Sequence, residues 1–128
     1  MGVWDELNPE QTSVMIEAIH EAFLIHAMDA WRARQRWAET GTTLTPSDLD
    51  DEAKRQLIPR FIDVVLNLID HGWLQITEPE HGPTPLTGGD LHAALADPTS
   101  WLLNLDGHHR VLELTTTDRW DQDLKSRL

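Results

Sequence analysis

The groups in this 128-residue chain that could hold a metal or move a proton are its seven histidines and 22 acidic residues. The run HEAFLIH, from His20 to His26, comes nearest to a known arrangement. The HExxH zinc pattern needs two imidazoles one helical turn apart, so that both reach the same ion. Here the second histidine is six residues on, and the two rings fall on different helix faces. Glu17 and His20 do share a face, but a pair of ligands is not a zinc site. His26 lies in phase with the apolar stripe and reads as a core histidine, while His108-His109 read as a loop tip after Gly107. The acidic run DLDDE, Asp48 to Glu52, sits where a helix should begin, and carboxylates there are favoured by the helix dipole. TGGD, Thr87 to Asp90, could turn backbone amides toward an anion, though a capped helix start explains it. With no cysteine there is no thiolate nucleophile, disulfide or thiolate zinc site. Serine-hydrolase, Walker and dinucleotide motifs are likewise missing. We expect no catalytic residue, no metal and no cofactor. An enzyme remains the third alternative, resting on carboxylates that could meet only in three dimensions.

Charge narrows the partner class. The net charge is −12, from 22 acids and 10 Lys plus Arg. Between Arg60 and Arg110 there is no cation, while seven acids lie there: Asp63, Asp70, Glu78, Glu80, Asp90, Asp97 and Asp106. Phosphate binding needs clustered Lys and Arg, so nucleic acid and anionic membrane are disfavoured. A surface well away from neutrality can simply keep a protein in solution. It can also present an electronegative face to a basic protein. Five histidines, His71, His81, His92, His108 and His109, lie in or near the cation-free stretch and could weaken such a face as they protonate near pH 6. The length suits one domain, residues 1–128. The opening MGVWDELNPEQ lacks the basic and apolar regions of a secretory signal, and no run of about 18 apolar residues suggests a membrane span. The expected location is the cytoplasm.

The elements follow from periodicity and end signals. Asn8-Pro9-Glu10-Gln11 has the form of a capped helix start. Apolar residues from Met15 to Trp37 recur at helical spacing, so one long helix, or two with a kink, should fill about residues 9–39. Thr45-Pro46 should start a second helix, which Pro59 kinks or restarts. From Phe61 to Ile69 this helix is apolar nearly all round, and Gly72 ends it. WLQIT follows as a short strand with Leu74 and Ile76 inward and Trp73, Gln75 and Thr77 outward. Thr87 should cap a short helix. RVLELTT should form a second strand with Leu112 and Leu114 inward and Val111, Glu113 and Thr115 outward, and Thr117 should cap a last helix, DRWDQDLKSRL. Matching inner faces pair the two strands as an antiparallel ribbon. The fold is therefore expected to be mainly α (α+β), a helical domain with a small two-stranded ribbon.

From Ser47 to Thr117 the order helix, apolar helix, Gly, strand, excursion, strand resembles a winged-helix domain, chiefly at IDHGWLQI. The family's recognition helix offers Arg, Lys, Asn or Gln to bases. Residues Phe61 to Asp70 would offer Asp63, Asn67 and Asp70, and the wing TEPEHGPTP has no cation. A winged-helix-like regulator or adaptor is the runner-up. In size, acidity and helical character the chain also resembles the immunity proteins that bacteria pair with secreted toxins. That resemblance implies a non-enzymatic inhibitor whose acidic surface binds and neutralises a toxin's catalytic domain. The residues assigned to partner contact are Trp73, Gln75, Glu78, Glu80, Glu113, Asp118, Trp120 and Asp121. Tryptophan is enriched at binding hot spots; for Trp73 and Trp120 the alternative is packing under a neighbouring helix. Trp37 and Trp101 are expected in the core, and Trp4 in an unanchored amino terminus.

Overall fold

A computed structural model describes residues 2–102 and 110–126. His108 and His109 lie outside the described residues. The domain is mainly α-helical, with helices α1 (Pro9–Ile19), α2 (Ala27–Thr40), α3 (Asp51–Asp70), α4 (Gly88–Ala96) and α5 (Asp118–Ser126), and strands β1 (Leu74–Thr77) and β2 (Glu113–Thr116). The strands pair antiparallel, with Leu74 opposite Thr116 and Thr77 opposite Glu113. Helix, glycine, strand, excursion and strand follow one another as in a winged-helix-like arrangement.

Local signals place most ends. The Asn8 side chain accepts from the Gln11 amide at 2.8 Å while Gln11 Oε1 accepts from the Asn8 amide at 2.9 Å, a complete capping box. Thr117 Oγ1 caps α5 through the Trp120 amide at 3.2 Å. The expected helix over residues 9–39 is two helices. The first ends in a Schellman arrangement: the Glu21 amide bonds to Ala18 O at 3.0 Å and the Ala22 amide to Glu17 O at 2.9 Å. Glu21 takes the left-handed position with φ 53°. No glycine or proline marked this break.

The second helix begins at Asp51 rather than at Thr45-Pro46. Asp50 wins the cap, accepting from the Ala53 amide at 2.8 Å. Residues 45–50 are instead held along α2, whose Trp37 Nε1 donates to Thr45 O at 2.7 Å, Arg36 Nη1 to Pro46 O at 2.8 Å and Arg32 Nε to Asp48 at 2.7 Å. Pro59 lies inside α3, which continues through it.

The buried apolar side chains form one cluster around Met15, Met28, Phe61, Leu68, Leu114 and Trp101. Leu74 and Ile76 from β1 and Leu112 and Leu114 from the second strand segment face it, as their alternation requires. Trp101 is fully buried, with Nε1 donating to Leu95 O at 2.8 Å, and Trp37 is half-buried. His26 is exposed, against the core assignment, because the chain leaves the α1 stripe before reaching it. The amino terminus is anchored: Val3 is buried and Trp4 packs edge-on against Trp120 at 5.2 Å. None of the described helices is long and apolar enough to cross a membrane.

Candidate functional site

The residues assigned to partner contact lie on the outer face of the ribbon (Trp73, Gln75 and Glu113), in the loop after β1 (Glu78 and Glu80) and on α5 (Asp118, Trp120 and Asp121), and the tertiary structure divides them. Trp73 precedes β1 in the outward phase, yet it is only 5 % exposed, and Trp120 only 1 %. Helix α5 lies across this end of the face. The Trp73 and Trp120 rings meet edge to face at 5.6 Å, and Trp73 Nε1 donates to Asp123 Oδ2 at 2.7 Å. That hydrogen bond holds the Asp123 carboxyl below its ordinary pKa, with Arg119 adding to the effect. The His71 ring lies 4.7 Å from that of Trp73, tilted by 30°, and its Nδ1 lies 2.8 Å from Asn67 O. Trp73 and Trp120 therefore hold α5 in place, and the assignment of both to partner contact is corrected.

Glu78 is corrected too. Its carboxylate is 5 % exposed and receives Arg110 through two parallel bonds of 2.8 Å. Such a bidentate pair is a strong charge-assisted contact. It holds Glu78 below its usual pKa, with His81 lowering it further and Asp97 opposing. The pair ties the end of β1 to the chain entering β2. Arg110 ends the cation-free stretch, so the sequence did contain the partner, but 32 residues away.

The remaining assigned residues stay accessible. Gln75, Glu80, Asp118 and Asp121 are exposed and Glu113 is half-exposed. Gln75 and Asp118 line one cleft of about 610 Å³ between β1, the loop at Thr84–Thr87 and the start of α5. In this cleft Asp118 is the one carboxylate and Arg119 the one cation, and no histidine lines it. Paired-carboxylate acid–base chemistry has no second partner here. Among the described residues no group of three or more His and acids could hold a metal ion.

The ion pairs set the character of the surface. Eight of the ten Lys and Arg lie within 4.0 Å of a carboxylate: Arg32, Arg34, Arg36, Lys54, Arg55, Arg60, Arg110 and Arg119. Several of these pairs fasten elements together, as Arg60 to Glu10 joins α3 to α1 and Lys54 to Asp29 joins α3 to α2. By contrast, Asp63, Asp70, Glu80, Asp90, Asp118 and Asp121 are exposed and pair with no Lys or Arg among the described residues. On α3 the outward row is Asp63, Asn67 and Asp70, while Phe61, Val65 and Leu68 face the core. Asn67 is engaged, accepting from Gln11 Nε2 at 2.7 Å.

No family model matches the chain, and no curated protein or solved structure matches it.

Proposed function

We propose that this protein is a non-enzymatic, protein-binding inhibitor of the immunity type, which uses its acidic surface to bind and neutralise a basic toxin domain. The observation that supports this reading is the fate of the cations. Eight of the ten are engaged in pairs within the fold, so the net charge of −12 is expressed by exposed carboxylates. A surface of that kind repels phosphate and steers a basic protein into encounter. Nuclease domains present basic clefts to their substrate, so an acidic inhibitor competes for the same field. The surface for this contact includes Gln75, Glu80, Glu113, Asp118 and Asp121. A winged-helix-like adaptor is the second reading, favoured by the order of elements around α3 and the ribbon. The acids on the outward row of α3 argue against its reading DNA bases.

The test is capture of the tagged protein's partner from its native source, followed by purification of both and native mass spectrometry. A one-to-one complex that abolishes the partner's activity and weakens as salt rises from 50 to 500 mM (about a threefold fall in Debye length) is expected. A protein that forms no such complex and retards DNA at low salt would instead be a regulator.

A further inference from the structure

The end of the ribbon's outer face that α5 does not cover is organised around Phe23 and Glu113. We propose that these two residues form the anchoring point for a lysine- or arginine-bearing segment of the protein partner. This rests on the protein-binding reading above and assigns it a location.

The backbone puts the two side chains together. The segment Ala22–Leu24 runs along the free edge of β2, with the Leu114 amide bonding to Ala22 O at 2.9 Å and the Leu24 amide to Leu112 O at 2.8 Å. Phe23 is thus directly opposite Glu113, which on its other side is opposite Thr77. Directly opposite residues share a face, with Cβ atoms about 4.5–5.5 Å apart. The row Phe23, Glu113, Thr77 points outward, because Leu24, Leu112 and Leu114 alternate with it and are buried. Phe23 is nevertheless 40 % exposed, a large apolar ring open to solvent on this face.

Beside Glu113 lies a hollow of about 380 Å³, bounded by Thr77, Pro79, Gly82 and Pro83. Its walls suit the aliphatic stem of a Lys or Arg, whose charged head stays near the rim. Glu113 is in no ion pair among the described residues, and the nearest cation in sequence, Arg110, is held by Glu78 at 2.8 Å. A cation held by the Glu113 carboxylate at the rim of this hollow would have Phe23, the cross-strand neighbour of Glu113 on the same face, beside it. Glu21 adds an exposed acid two residues from Phe23, at a left-handed position where glycine would be easier. A second copy of the chain is a poor occupant, since it would bring two surfaces of net charge −12 together.

The probe is the capped pentapeptide Ser-Arg-Ser-Arg-Ser, titrated into isotope-labelled protein at low ionic strength and followed by amide chemical shifts, with Ser-Glu-Ser-Glu-Ser as control. The largest shifts should fall on Phe23, Glu113, Thr77 and Gly82. Phe23→Ala and Glu113→Gln should each weaken binding about three- to fivefold, the size of one exposed cation–π or ion-pair contact. Both side chains are partly covered, so melting curves of the two variants accompany the titration and confirm that each is folded at the titration temperature. Shifts spread over the exposed acids of α3 and α5, unchanged by Phe23→Ala, would overturn the proposal, as would absence of binding. A dimer of the free protein that Phe23→Ala dissociates would overturn it in favour of a second copy. The same variants in the purified complex separate the two readings. A complex indifferent to Phe23→Ala removes only the anchor, whereas absence of any wild-type complex removes the inhibitor reading itself.

Discussion

At the scale of single residues, two positions show how backbone and charge constrain this chain. Glu21 closes a Schellman arrangement at φ 53°, a region where a Cβ crowds the following carbonyl. The exposed Glu21 side chain gains no described hydrogen bond for this, so Glu21→Gly should stabilise the protein by about 0.5–1 kcal/mol in urea unfolding. An unchanged midpoint would mean that the strain is relieved elsewhere. Glu78 titrates against a different background. Its carboxyl is held below the ordinary 4.5 by Arg110, then by His81, with Asp97 opposing. A depressed folded pKa makes its contribution complete above the unfolded value and lost as pH falls through the folded one. The stability difference between wild type and Glu78→Gln should therefore be fully present just above about 4.5 and shrink as pH falls below it. Melts recorded between pH 2 and 7 measure this directly. Neither position was legible as such. A glutamate carries no turn signal, and Glu78 in a run of loop residues looks like any solvated acid until Arg110 is brought beside it.

Among the elements, α5 is the most dependent on others. It has nine residues, too few to be stable alone in water, and its one buried side chain is Trp120. That ring is gripped between Trp4 at 5.2 Å and Trp73 at 5.6 Å. Trp120→Ala should remove about 3–5 kcal/mol, the range for truncating a buried aromatic, and release α5 locally. Tryptophan emission should shift to the red as Trp73 becomes wet, and α5 amides should lose protection from hydrogen exchange ahead of α3. Retained protection in α5 would mean that the Asp123 contact and the Thr117 cap suffice. Elements were legible wherever periodicity and an end signal agreed: α1 from its capping box, α5 from Thr117, and the ribbon from alternation of Leu74 and Ile76 with Leu112 and Leu114; α4 does start after Thr87, but that side chain makes no capping hydrogen bond. They were misread where two signals competed. Thr45-Pro46 is as good a helix start as Asp50, and only the docking of residues 45–50 onto Arg32, Arg36 and Trp37 decides between them.

For the whole molecule the dominant quantity is charge. A net charge of −12 on one small domain works against compaction through self-repulsion, and the ion pairs that oppose it are mostly exposed. Raising sodium chloride from 10 to 150 mM should therefore increase stability by about 1 kcal/mol, roughly 4 °C in melting temperature. A fall in melting temperature would mean that the pairs outweigh the repulsion. Composition alone determined this excess of acid and the lack of thiol chemistry, and periodicity with end signals determined the mainly helical class with its ribbon. Sequence pattern determined which side of each strand faces the core. Only the tertiary structure decided which outward residues remain outside. Strand phase alternates by local geometry, so it marks Trp73 and Gln75 alike. Whether a second layer then covers that face depends on where α5 packs, and that contact joins residues 50 apart in the chain. Covering one end turned Trp73 and Trp120 into core, and leaving the other end open gave Phe23 and Glu113 their exposed row.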